Sequence, residues 1–190
     1  ISDINEKTNW SSALKNVDVI VHCAAKAHIF KNSRSIIDSF YSFNVNATKN
    51  LAQQASKMGV KKFIFISTIK VFGESTKSDS LFSLNSPLYP EDHYAKSKLQ
   101  AELALRKIAS KNKMELVIIR PPLIYGPGVK ANFLKIMKLI DKSYPLPFGA
   151  IKNKRSIIYL GNLADFILKC INHKKANGKI FLPSDPRALS

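Results

Sequence analysis

The sequence predicts an α/β protein built on a doubly wound parallel sheet. Short apolar runs rich in β-branched residues read as buried strands: VDVIVH at 17–22, KFIFIST at 62–68, LVIIR at 116–120 and KIFL at 179–182. Between them lie stretches with apolar residues at helical spacing, as over 39–58 and from residue 94 onward. The two kinds of segment alternate, which is the pattern of βαβ units around a parallel sheet. With 190 residues, 45% of them hydrophobic, the chain is long enough to bury one proper core.

Taken in order, residues 10–16 predict a short helix with Ser11 or Ser12 as N-cap. The strand at 17–22 runs into Cys-Ala-Ala-Lys-Ala-His. The small side chains of Ala24 and Ala25, placed directly after a buried strand, let a ligand approach the backbone where open α/β sheets bind ligands. The plainer alternative is that the two alanines only pack tightly. His22 and His28 read as strand-end and loop residues rather than ligands. A helix over 39–58 places Phe40, Phe43, Val45, Leu51, Ala52 and Ala55 at near-helical spacing and closes at Gly59. Asn44 and Asn46 are poor helix formers in that stretch, and one turned toward a strand end is suited to bonding a loop or a cofactor.

The strand at 62–66 ends in two hydroxyls, Ser67 and Thr68. Residues 74–93 are polar, with Pro87 and Pro90, and predict a long loop of the kind that often carries function. A helix opens at Tyr94, a strand follows at 116–120, and PPLIYGPG comes after it. Further expectations are a helix over 133–140, an extended segment at 145–149, a short strand at 156–160, a helix over 163–172 and a last strand at 179–182.

The formal net charge is +17, but 25 of the 30 basic residues are Lys, scattered from Lys7 to Lys179. No basic block interleaved with aromatics occurs and no nucleic-acid motif is present, so nucleic acid is not the expected partner. An anionic small substrate suits the same charge. No window of 18 consecutive apolar residues predicts a membrane span, and the opening ISDIN has no basic n-region of a signal peptide. Cys23 and Cys170 read as buried free thiols of a cytoplasmic protein, and neither has metal-ligand spacing to another Cys or His, so no metal site is expected.

Tyr94-Ala-Lys-Ser-Lys98 is the stretch that carries chemistry. Residues four apart in a helix share a face, so Lys98 sets an ammonium beside the Tyr94 phenol. A nearby positive charge favours the phenolate, which makes Tyr94 a proton acceptor at neutral pH. In a chain with 6 Tyr and 25 Lys such a pair arises readily by chance, so its weight comes from context.

That context is a set of motifs in order: VDVIVHCAA at 17–25, NVNAT at 44–48, FIFIST at 63–68, VFG at 71–73, YAKSK at 94–98, RPPLIYGPG at 120–128, and Arg155. Together they resemble the extended short-chain dehydrogenase/reductases, within them the NAD-dependent epimerase/dehydratase branch. The resemblance implies a Rossmann-like domain over residues 1–125 and a small substrate-binding region over 126–190, interleaved with the last Rossmann elements. The family opens with a strand, a Gly-rich turn and a helix that cradle the cofactor pyrophosphate. No such turn occurs here, and the first of only seven glycines is Gly59, so the sequence is expected to begin after that unit. The strand at Val17 would then be left partly uncovered, which points toward a homodimer.

By resemblance, Thr68, Tyr94 and Lys98 are the catalytic residues. Tyr94 exchanges a proton with a sugar hydroxyl, Lys98 holds the nicotinamide ribose, and Thr68 bonds the reacting oxygen. Asp3, Ile4, Ala24, Ala25, Lys26, Asn44, Ser67 and Pro121 fall at cofactor-contacting positions, together with Tyr94 and Lys98. Asn132, Phe133 and Arg155 fall at positions that hold a nucleotide sugar, and the Arg155 fork suits a diphosphate. The resemblance implies an NAD-dependent 4-epimerase of a UDP-hexose or UDP-amino sugar acting through a 4-keto intermediate, with NADP as the other cofactor. A nucleotide-sugar 4-ketoreductase or dehydrogenase shares every one of these residues, and a non-catalytic binding module is the third reading. The dehydratases of the family follow the active-site Thr with Asp-Glu, whereas Ile69 and Lys70 follow Thr68 here, so water elimination is not expected.

Overall fold

The computed structural model describes residues 4–27, 34–76, 80–129, 131–143 and 154–187, with Ala131 and Asn132 described by their backbone alone. Four strands form a parallel sheet in the order β1-β2-β3-β6: β1 (Val19–His22), β2 (Lys62–Ile66), β3 (Glu115–Ile119) and β6 (Ile180–Phe181). Two short strands not read as a pair from the sequence, β4 (Leu123–Tyr125) and β5 (Ile157–Tyr159), form a second parallel sheet. The helices are α1 (Arg34–Phe40), α2 (Thr48–Lys57), α3 (His93–Asn112), α4 (Ala131–Asp141) and α5 (Leu160–Asn172).

After their first residues, Lys62 and Glu115, the central strands are apolar throughout because each face of the sheet has its own core. Phe63 and Phe65 of β2 and Leu116 and Ile118 of β3 point to one side, where they meet Leu51, Ala52 and Ala55 of α2 and Ala101 and Leu105 of α3. The alternate residues Ile64, Val117 and Ile119 point to the other side, onto Leu163 and Cys170 of α5. Side chains alternate across a strand, so a strand covered on both faces must be apolar at both phases. β1 is an edge strand, and its Val19, Ile20 and Val21 are half-buried.

Lys62 opens β2 and is buried, yet it is charged. Its ammonium donates to the carbonyls of Ile171 at 2.8 Å and Cys170 at 3.2 Å, and Glu115 lies 3.6 Å away. It thereby satisfies the open carbonyls at the end of α5, where a cation also meets the negative end of the helix dipole. One buried side chain so fastens the second helical layer to the middle of the sheet.

Three local expectations are corrected. Cys170 is buried in α5, but Cys23, just past the end of the edge strand β1, is exposed. Residues 10–16 form turns, not a helix: Asn9 Oδ1 takes the Ser11 N–H at 2.9 Å, and Asn16 enters the left-handed region at φ 58°. Trp10 N donates instead to Gln54 Oε1 at 2.8 Å, which ties the segment to α2. The helix expected from residue 39 begins at Arg34 and winds on to Lys57, but Tyr41–Ala47 is a π-helix. This wider stretch turns Asn44 into the interior, where it is 1% exposed. The segments expected at residue 3 and over 145–149, and the loop around His28, lie outside the described residues.

Leu105 is fully enclosed between α3 and the sheet. Leu105→Ala is expected to destabilise the chain by about 2–5 kcal/mol, seen as a lower urea midpoint with an unchanged slope.

Candidate active site

The parallel register aligns His22, Phe65 and Ile118 across the sheet, so the segments following β1, β2 and β3 emerge at one edge. These are Cys23–Ala25, Ser67–Thr68 and Arg120–Pro121, and they stay in step beyond the strands. Ser67 N donates to Ile119 O at 2.7 Å and Ile69 N to Pro121 O at 3.0 Å. The start of α3 lies beside this edge. Asp92 caps it, with Oδ1 accepting the Ala95 N–H at 2.6 Å, the ordinary way an acidic N-cap satisfies an open donor.

Along α3, Tyr94, Lys98 and Glu102 follow one another at four-residue steps and so share a face. Glu102 is 1% exposed and bonded from three directions. Arg120 donates through Nε at 3.0 Å and through Nη2 at 2.6 Å, and Ser67 Oγ donates to the same carboxylate at 2.5 Å. The guanidinium also stacks on Phe72, 4.8 Å from the ring centroid. Three elements therefore converge on one buried carboxylate: α3, the end of β2 and the end of β3.

Lys98 is equally buried, at 1% exposure, with Nζ 4.0 Å from the centroid of the Phe65 ring. Among the described residues, no carboxylate or carbonyl hydrogen-bonds to it. Burial draws its pKa down to about 7, and the nearby Glu102 charge opposes that fall. His22 lies close by, flanked by Phe63 and Phe65, with Nε2 2.8 Å from Thr48 Oγ1. Burial first, and the Lys98 charge second, lower the His22 pKa to about 4, so the ring is neutral at physiological pH.

Tyr94 differs from the expectation drawn from its spacing to Lys98. Burial and the Asp92 carboxylate raise the pKa of the phenol, and the cation that opposes them is Lys70. Lys98 points over Phe65 instead. Thr68 is 8% exposed, and its Oγ1 accepts the Lys70 N–H at 3.3 Å.

Asn44 acts on the neighbouring loop. Its Oδ1 accepts the Lys26 N–H at 2.8 Å, while Nδ2 donates to Lys26 O at 3.0 Å and to Ser97 Oγ at 2.9 Å. Ser97 Oγ in turn donates to Tyr94 O at 2.7 Å. Both amide hydrogens of Asn44 are thus committed to protein groups. It fixes the backbone that follows Ala24 and Ala25 and links it to the first turn of α3. Lys26 itself is exposed.

The other sequence-selected residues are more scattered. Pro121 is buried and Ile4 half-buried. Phe133 packs on Tyr125, their ring centroids 5.9 Å apart. Arg155 is exposed, two residues before β5. Asp3 and the Asn132 side chain lie outside the described residues. Sequence reasoning missed Glu102, Asp92 and Ser97 and the part Lys70 plays. Only Glu102 carried a signal, as the third member of a four-residue series on one helix face.

The groups at this edge fit a nicotinamide dinucleotide. A buried lysine whose amine has no hydrogen-bond acceptor among the described residues suits the diol of a ribose, and the small, half-buried Ala24 and Ala25 precede a loop pinned by Asn44.

The chain matches the NAD dependent epimerase/dehydratase family over residues 1–182 and belongs to that family. It is 47% identical over 192 residues to a UDP-glucose 4-epimerase of Vibrio cholerae, covering 100% of this chain and 58% of that protein. It is 32% identical over 183 residues to the N-acetyl-alpha-D-glucosaminyl-diphospho-ditrans,octacis-undecaprenol 4-epimerase of Escherichia coli O157:H7, covering 95% and 54%. Its fold is Rossmann-like: it superposes on the UDP-glucuronic acid 4-epimerase from Bacillus cereus in complex with NAD with a TM-score of 0.85 at 24% identity, covering 100% and 61%. The chain spans little more than half the length of the curated relatives it matches.

Lys98 makes the cofactor-free fold pay for a charge it does not use. Its folded pKa, about 7, lies below the unfolded value of 10.5, so the unfolded chain binds more protons between these limits. Stability is therefore expected to rise as pH increases from 7 toward 10. Lys98→Met should remove this slope and stabilise the chain at pH 7 by on the order of 3 kcal/mol, measured by denaturant unfolding across pH. Equal slopes in the two proteins would contradict the burial of an unpaired ammonium.

Proposed function

We propose that the protein carrying this chain is an NAD-dependent nucleotide-sugar 4-epimerase acting on a UDP-hexose or UDP-amino sugar. The observation that supports the reading is that Thr68, at the carboxyl edge of the parallel sheet, is tied through Lys70 and Asp92 to the start of the helix carrying Tyr94, while Lys98 is buried on that helix with no hydrogen-bond acceptor among the described residues. In this reading NAD, when bound, accepts and returns a hydride at the sugar carbon. Everything else falls to the protein. Lys98 bonds the ribose of the dinucleotide, and the polar ligand atoms give its ammonium the acceptors it lacks. Tyr94 takes the proton of the 4-hydroxyl and gives it back, while Thr68 holds that oxygen. Ala24, Ala25 and Lys26 lie along the dinucleotide with Pro121, and Asn44 keeps their loop in place. Ile4 and Asp3 belong to the adenine end, and Ser67 supports Thr68 through Glu102. Phe133, Asn132 and Arg155 take the nucleotide sugar.

Elimination of water is not part of this chemistry. It requires an acid and a base beside the sugar, and the residues after Thr68 are Ile69 and Lys70. The carboxylates that folding brings near, Glu74 and Asp92, are both bound by the Lys70 ammonium. Among the described residues no helix is long and apolar enough to cross a membrane. A cytoplasmic homodimer completes the proposal.

The expressed protein is tested with NAD and UDP-glucose, UDP-N-acetylglucosamine and dTDP-glucose, with products separated and weighed. An isobaric epimer is expected. A product lighter by one water would overturn the reading, and reduction of a supplied 4-keto sugar without epimerisation would make the protein a ketoreductase. Tyr94→Phe is expected to cut turnover about 10²-fold or more with nearly unchanged NAD affinity. An equal loss of NAD binding would reassign Tyr94 to structure.

A further inference from the structure

Two segments beside the candidate site are laced together. Val71 O accepts the Tyr89 N–H at 3.0 Å, and Glu91 Oε1 accepts the Glu74 N–H at 3.0 Å. The first segment carries Thr68, and the second leads into the helix that carries Tyr94. Lys70 joins them through Asp92 and holds its own segment at two further points. Its backbone N–H donates to Thr68 Oγ1, and its ammonium donates to Asp92 Oδ2 at 3.0 Å and Glu74 Oε1 at 2.7 Å. The other Asp92 oxygen caps α3 through Ala95, one residue past Tyr94. A single residue is thus bonded to the hydroxyl of one candidate catalytic residue and to the helix cap that orients the other.

We propose that Lys70 is a positioning residue of the reaction, holding Thr68 and Tyr94 in register and setting a positive charge beside the phenol. The proposal rests on the reading of Thr68 and Tyr94 as the pair that meets the substrate oxygen. The charges around the phenol leave this task to Lys70. Asp92, just before α3, disfavours a phenolate, and so does burial. Lys98, one turn further along α3, is turned over Phe65. Glu74 offsets part of the Lys70 charge from the far side, and His93 adjoins Tyr94 in the first turn of α3. The Lys70 side chain is 40% exposed, so its ion pairs contribute little to folding stability. Their weight falls on geometry and on the protonation of Tyr94.

The test follows Tyr94 directly. Carbon-13 labelling of tyrosine at Cζ in the 190-residue chain, with Y94F to assign the signal, reads the phenol titration in wild type, K70M and K70R by NMR. Tyr94 is expected to titrate at higher pH in K70M and near its wild-type position in K70R. In the expressed protein, K70M should lower kcat about tenfold at pH 7 and move the acid limb of the kcat/KM profile to higher pH, with K70R restoring both. Identical Tyr94 titrations in wild type and K70M would overturn the proposal. So would a K70M loss of turnover that tracks a lowered melting temperature and is not rescued in K70R, which would make Lys70 a structural tie alone. Wild-type protein without turnover on any nucleotide sugar would count against the proposed function, while the NMR titration would still decide the placement of charge by Lys70.

Discussion

A buried carboxylate holds the functional end of this molecule together. Glu102 receives two bonds from Arg120 and one from Ser67, and all three side chains are buried. Charges taken out of water are costly, and the cost is recovered only when every partner is in place and well aligned. Here the partners come from separate elements. Ser67 directly precedes Thr68, Arg120 directly precedes Pro121, and Glu102 lies one helical turn past Lys98. The network includes none of the residues proposed to meet substrate or cofactor, yet each of its members is next to one of them. Hydrogen-bond geometry at Glu102 is thereby converted into spacing at the edge of the sheet.

The same edge shows why a functional site and a stable core make opposite demands. Hydrophobic packing would place an apolar side chain over Phe65, but Lys98 occupies that position. His22, between two phenylalanines, is held neutral by the same surroundings that draw the lysine toward neutrality. Natural folds tolerate such local losses where chemistry needs them and compensate elsewhere. In this chain the compensation is visible in the two dry cores that sandwich β2 and β3.

Much of the fold was legible because it depends on local patterns. β2 and β3 are apolar at both phases, and this alone marks strands covered on both faces. The four-residue step from Tyr94 to Lys98 needed only a helix to bring the two onto one face. What could not be read depends on partners far apart in sequence. Glu102 and Ser67 are 35 positions apart, and Lys70 and Asp92 are 22 apart, so no window contains either contact. The acidity of Tyr94 was misassigned for that reason: the sequence offered the cation one turn away, while folding delivers another from a different segment. Lys70 was read only for the base it cannot be. Asn44 was noticed as an awkward helix residue, but its bonds to Lys26 and Ser97 arise only once the chain is packed.

The π-helix at Tyr41–Ala47 bears on how such a site can change over time. A regular helix of this length would lock every residue into one angular phase, so that a residue facing the sheet fixes those facing the loop. The wide turn breaks that lock. α2 keeps Leu51, Ala52 and Ala55 on the core, while the residues before it are rotated independently and Asn44 is aimed at Lys26. Because π-turns behave as a residue inserted into an α-helix and cluster at functional positions, this stretch acts as a phase shifter between two half-helices. Evolution or design can therefore retune the loop that follows Ala25 by changing the length of the wide turn, leaving the packed half of the helix as it is.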